Sequence, residues 1–94
     1  MNDDEFEKEM ARLRAGYVGR MSELRGELIA AADAPDRQLV QRISHRLKGT
    51  AGSYGFAELS RVAGEVEAHV RDDVDVDLGA ILAPLLRAID AAGA

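Results

Sequence analysis

Leu39-Val40-Gln41-Arg42-Ile43-Ser44-His45-Arg46-Leu47-Lys48-Gly49-Thr50-Ala51-Gly52-Ser53-Tyr54 decides how the chain reads. Its apolar positions Leu39, Ile43, Leu47, Ala51 and Tyr54 recur with spacings of 4-4-4-3, which draws one stripe along a helix of 3.6 residues per turn. At 100° per residue His45 lies about 200° from Ile43 and about 160° from Leu47, so its imidazole points away from the core. Gly49 and Gly52 follow it by four and seven residues, close to its own face. Together they lower helix propensity by about 2 kcal/mol relative to alanine, and they remove the side chains that would crowd the imidazole. A partner backbone or a bulky reacting group then has room to approach; close packing on a neighbouring helix is the competing use.

Working outward, three more helical stretches appear and no strand pattern of any length. Upstream, Phe6, Met10, Leu13, Tyr17, Met21, Leu24, Leu28 and Ala31 form a seam for packing on other helices. Gly16, Gly19 and Gly26 weaken that helix and predict a bend or break near Gly16 to Gly19. Asp33-Ala34-Pro35-Asp36 ends it, and Pro35 suits the first turn of a second helix running from about Pro35 to Ser53. Gly52-Ser53-Tyr54-Gly55 is the stop signal. A third helix starts near Phe56 and buries Leu59, Val62, Ala63, Val66 and Val70. The acidic run Asp72 to Asp77 reads as a loop whose last aspartates cap a fourth helix carrying Leu78, Ile81, Leu82, Leu85 and Ile89. Pro84 sits off that stripe and should kink the helix or cost it a hydrogen bond. The expected architecture is all-α, a single domain over residues 1–94 folded as an up-and-down four-helix bundle with a long first helix.

Composition narrows the function. The 94 residues are 47% hydrophobic, enough for one small core, and contain no cysteine, which excludes disulfides and thiolate chemistry. The acidic start lacks the character of a secretory signal, and no apolar run approaches a membrane span, so a cytoplasmic location is expected, with no membrane partner. A net charge of −5 argues against nucleic-acid binding. Between Arg37 and Ala57, however, Arg37, Arg42, Arg46 and Lys48 occur with no acid, making this segment +4 within a chain whose remainder is −9. Such a patch favours an acidic protein surface or an anion; an ordinary solvated basic face is the competing reading. Projection about the helix axis puts Gln41, Arg42, Lys48, Gly49 and Gly52 near the face of His45.

The run His45-Arg46-Leu47-Lys48-Gly49-Thr50-Ala51-Gly52-Ser53-Tyr54-Gly55-Phe56, continued by Leu59, Val62, Val66 and Glu67, resembles the signature of histidine-containing phosphotransfer (HPt) domains of bacterial phosphorelays. The likeness spans about 25 residues in the right helical context. It implies that His45 accepts a phosphoryl group, as a neutral imidazole nitrogen can. It also implies that Lys48 screens the incoming charge and that Glu67 bonds the other imidazole nitrogen and fixes its tautomer. Gly49, Gly52, Arg42, Arg46 and Gln41 would form the docking face. By periodicity Glu67 lies about 80° off the stripe of its helix, a flank position that also suits an ordinary surface carboxylate. Thr50 and Tyr54 depart from commoner residues, and Tyr54 could join the docking surface. His69, on the opposite flank from Glu67, reads as a surface histidine.

The partners implied are response-regulator receiver domains and a hybrid histidine kinase, with no small-molecule substrate. The receiver would supply Mg²⁺, leaving the chain without a cofactor of its own. Two histidines 24 residues apart with no cysteine make a poor metal site. The glycines around Lys48 lack the order and the preceding strand of a phosphate-binding loop, and Ser44 or Ser53 would need a base and an oxyanion hole to act as nucleophile. With no ATP site, autophosphorylation is not expected, so the chain reads as a carrier rather than an enzyme. Chemotaxis kinases carry a similar phosphoaccepting domain followed by dimerisation and ATP-binding domains, whereas a stand-alone carrier is expected here. The alternative is a non-catalytic helical adaptor that docks an acidic partner through the basic face around His45.

Overall fold

A computed structural model describes residues 2–93 of the chain. Four helices follow one another, α1 (Asp3–Asp33), α2 (Arg37–Ser53), α3 (Ala57–Asp72) and α4 (Leu78–Ala92), and no strand occurs among the described residues. Each helix packs on the next and α4 returns to α1, which is an up-and-down four-helix bundle. The short connections leave consecutive helices no choice but to run antiparallel. Its core is drawn from all four helices, with Met21, Leu28, Val40, Leu47, Leu59, Val70, Leu82 and Leu85 almost wholly shielded from solvent.

Helix ends follow local chemistry. The Asn2 side chain accepts from the Glu5 amide at 2.9 Å, and the acidic first turn of Asp3, Asp4 and Glu5 complements the positive end of α1. Asp36 accepts from the Leu39 amide at 3.1 Å and so caps α2. The second helix therefore starts at Arg37 rather than about Pro35, because the carboxylate satisfies an orphan amide while Pro35 remains in the preceding turn. At its far end Gly55 takes a φ of +87°, the amide of Phe56 reaches the Ala51 carbonyl at 2.9 Å and that of Gly55 reaches Gly52 at 3.1 Å. This is a Schellman cap, and it needs a residue without Cβ at position 55. Asp77 caps α4 through the Ala80 amide at 3.1 Å. Pro84 lies inside α4 on its exposed face, where helical backbone continues on both sides of it.

The break in α1 expected near Gly16 to Gly19 is absent. The helix runs unbroken through Gly16 and Gly19, for which the positive φ of a break is absent. These glycines and Gly26 are exposed, while Tyr17 and Met21 beside them are buried and hold the backbone in register; packing outweighs a propensity loss of about 1 kcal/mol per glycine. Nor is the apolar seam covered along its whole length. Tyr17, Met21, Leu28 and Ala31 are buried, but Phe6 is 57% and Leu13 41% exposed. The cause is length, since 31 residues rise about 46 Å, against about 23–26 Å for the 15 to 17 residues of the other helices. The molecule is 51 Å long and only 21 by 18 Å across.

Candidate functional site

Helices α2 and α3 pair more closely than any other two, and this closeness builds the site. The apolar stripe of α2 is buried at Val40, Ile43, Leu47 and Ala51, which turns the His45 side chain outward with 74% of its surface exposed. Across the groove α3 buries Val62, Val66 and Val70, and the flank position of Glu67 then points at α2 with its side chain only 10% exposed. Nδ1 of His45 and Oε2 of Glu67 are 2.5 Å apart. A carboxylate only accepts, so Nδ1 donates; in a neutral imidazole the lone pair then resides on Nε2, at the exposed side of the ring.

The second carboxylate oxygen, Oε1, lies 3.7 Å from Nζ of Lys48. The lysine stem passes over Gly64 of α3, which the sequence reading did not single out. A Cβ at position 64 would stand 3.4 Å from Cδ and 3.6 Å from Cε of Lys48, ordinary contact distances, so the stem lies directly on α3 and only a longer side chain at 64 would compete with it. A glycine three residues before Glu67, in a helix interior that otherwise disfavours glycine, was the available signal.

Gly49 and Gly52 part company. Around Gly49 an added Cβ would meet nothing within 4 Å, so this position beside the imidazole is open. Gly52 instead faces α3, where a Cβ would lie 3.6 Å from Oγ of Ser60. The Ser60 hydroxyl donates to the Lys48 carbonyl at 2.6 Å. Gly52 is exposed and lies on the side of α2 that faces Ser60, whereas Gly49 lies beside the open imidazole.

Arg42 and Arg46 are exposed and carry no ion pair among the described residues. With Gln38, Gln41, His45 and Glu67 they line an open depression on this face. Arg37, counted with the basic patch from sequence, is used structurally, since its guanidinium donates to the Val70 carbonyl and ties the start of α2 to the end of α3. Tyr54 is half-buried and stacked on Tyr17 with ring centroids 4.5 Å apart. The Tyr17 hydroxyl donates at 2.6 Å to Thr50, whose own hydroxyl donates to the Arg46 carbonyl at 3.0 Å. His69 is exposed on another part of α3. Ser44, next to His45 but on the buried side, has a hydroxyl with no hydrogen-bond partner among the described residues, a site of local cost rather than chemistry.

A family model described as Hpt domain matches residues 5–94. The chain belongs to the Hpt domain family. This Hpt domain has no match among curated proteins and none among solved structures. Membership assigns it, in general terms, to phosphorelay histidine phosphotransfer. Among the described residues no group of three or more histidine, aspartate or glutamate side chains could hold a metal ion. Among the described residues no helix is long and apolar enough to cross a membrane.

Proposed function

We propose that this Hpt domain carries phosphoryl groups on Nε2 of His45, taking them from the phospho-aspartate of one receiver domain or hybrid kinase and passing them to the aspartate of another. The observation that carries the reading is the pairing of a buried carboxylate with Nδ1 of an imidazole that is otherwise open to solvent. In the forward step the Nε2 lone pair forms an N–P bond as the P–O bond to the receiver's aspartate breaks, and the electron pair leaves on that carboxylate. No proton has to move. The ring becomes an imidazolium whose Nδ1–H stays bonded to Glu67, and the carboxylate offsets the new positive charge. Return of the group to a second aspartate reverses these changes.

Lys48 adds a point charge near the arriving phosphoryl oxygens, and its tie to Glu67 keeps it beside the ring rather than loose in solvent. Gly49 leaves the receiver space to seat its aspartate, and Arg42 and Arg46 attract an acidic receiver surface. Mg²⁺ and the acid apparatus belong to the receiver, and the compartment is the cytoplasm, where receivers reside. ATP has no site in this reading, so ATP alone leaves the domain unlabelled.

Incubation with phosphorylated receivers and hybrid kinases should transfer an acid-labile phosphoryl group to the chain. His45→Gln should abolish the label and His69→Gln should retain it. If no receiver or kinase of the source organism labels the wild type, the reading fails and the adaptor role replaces it.

A further inference from the structure

The uncovered end of α1 has the chemistry of a self-association surface. Phe6, Met10, Leu13 and Tyr17 form one stripe on an unbroken helix, and from Tyr17 onward that stripe is covered by the chain's own bundle. Before it, about 14 residues precede the covered part of the stripe, a rise of about 21 Å, with Phe6 and Leu13 exposed, Met10 only partly covered and Arg14 alone reaching back to the Tyr54 carbonyl. The charge along this segment is polarised. Residues 3–9 hold five acids and one lysine, whereas residues 10–20 hold Arg12, Arg14 and Arg20 and no acid.

We propose that two copies of this chain associate through an antiparallel pairing of these protruding segments, Phe6 of each packing near Leu13 of the other with Met10 close to the two-fold axis. Antiparallel pairing sets the acidic half of each helix beside the basic half of its partner, twice over; a parallel pair would set like charge against like. Sterics select the same arrangement. The bundle sits on the same stripe as the protruding apolar residues, so in a parallel pair the two bundles would compete for one space, whereas antiparallel they lie at opposite ends. The 4-3-4 spacing from Phe6 to Tyr17 is the seam that helix pairing requires, and Glu7 and Arg14 fall on one flank of it, where an antiparallel partner brings them together. Arg14 already donates its Nε–H to the Tyr54 carbonyl of its own chain at 3.1 Å, and its remaining guanidinium N–H groups are the ones a partner's Glu7 would meet. The segment leaves the bundle at the Tyr54 end, about 13 Å along α2 from His45, so pairing leaves the imidazole face open.

Sedimentation equilibrium of the full chain at low salt, from about 10 µM to about 1 mM, should show the mass rising toward twice that of one chain. Added salt should lower it. Phe6→Asp with Leu13→Asp should weaken association at least tenfold while leaving the thermal transition in place, because both residues are exposed in the single chain. Glu7→Arg and Arg14→Glu should each weaken it, and an equimolar mixture of the two should restore a heterodimer. Orientation is read by disulfide trapping in a chain that has no cysteine of its own. Phe6→Cys mixed with Leu13→Cys should cross-link, and Phe6→Cys alone should not. A wild-type chain that stays monomeric at about 1 mM, a dimer indifferent to Phe6→Asp with Leu13→Asp, or efficient cross-linking by Phe6→Cys alone would each overturn the proposal.

Discussion

Helices α1 and α2 are both amphipathic and both interrupted by glycine, yet the interruptions mean different things. In α2 the apolar stripe is buried at Ile43, Leu47 and Ala51 and half-covered at its ends, Leu39 and Tyr54, and Gly52 lies where the neighbouring helix comes close. In α1 only the half from Tyr17 onward is covered, and Gly19 and Gly26 face open space with nothing near enough to have required them. A glycine in a helix therefore becomes informative through what approaches it. Gly64 of α3 makes the same point, because its partner is the one lysine of the His45 face.

The sharpest way to break this contrast is a pair of leucine truncations. Leu47→Ala, in the buried middle of the α2 stripe, should destabilise the bundle by about 2–5 kcal/mol in urea unfolding, whereas Leu13→Ala, measured at low concentration, should change it by less than about 0.5 kcal/mol. Similar losses would mean that the exposed half of α1 is folded onto something. Next in size is Glu67→Ala, expected to slow phosphotransfer by about 10–100-fold because Nδ1 loses its acceptor; Glu67→Gln keeps a carbonyl oxygen there and should recover much of the rate.

Gly64→Gln should slow transfer several-fold by pushing the Lys48 stem off α3, and it should add nothing in a Lys48→Ala background. Additive losses would show a merely structural defect instead. Smallest are two gains in stability. Gly19→Ala should add up to about 1 kcal/mol, since its Cβ meets nothing, and Ser44→Ala should add about 1 kcal/mol by removing a buried hydroxyl without a partner. Either change turning out destabilising would expose a contact that the single chain does not make.

Much of the site was legible because helical periodicity is a local property. The stripe from Leu39 to Tyr54 placed His45 outward, and the Gly55 stop and the Asp77 cap depend on residues within a turn of each other. Gly52 shows the complementary limit. A helical wheel gives the angle of a position but says nothing of which neighbouring helix occupies that direction, and Ser60 occupies it. The predicted break in α1 met the same limit, since propensity was weighed without the burial of Tyr17 and Met21.

Sequence alone determined four helices, their order, an outward histidine with a lysine one turn on, and a basic segment in an acidic chain, all of which follow from spacing and charge along the backbone. Tertiary structure alone decided that Glu67 meets Nδ1 of His45, that Lys48 lies on Gly64, and that the seam of α1 outruns its cover. Those depend on how closely α2 and α3 pack and on how long one helix is beside three others, and both are relations between segments that no single helical period contains.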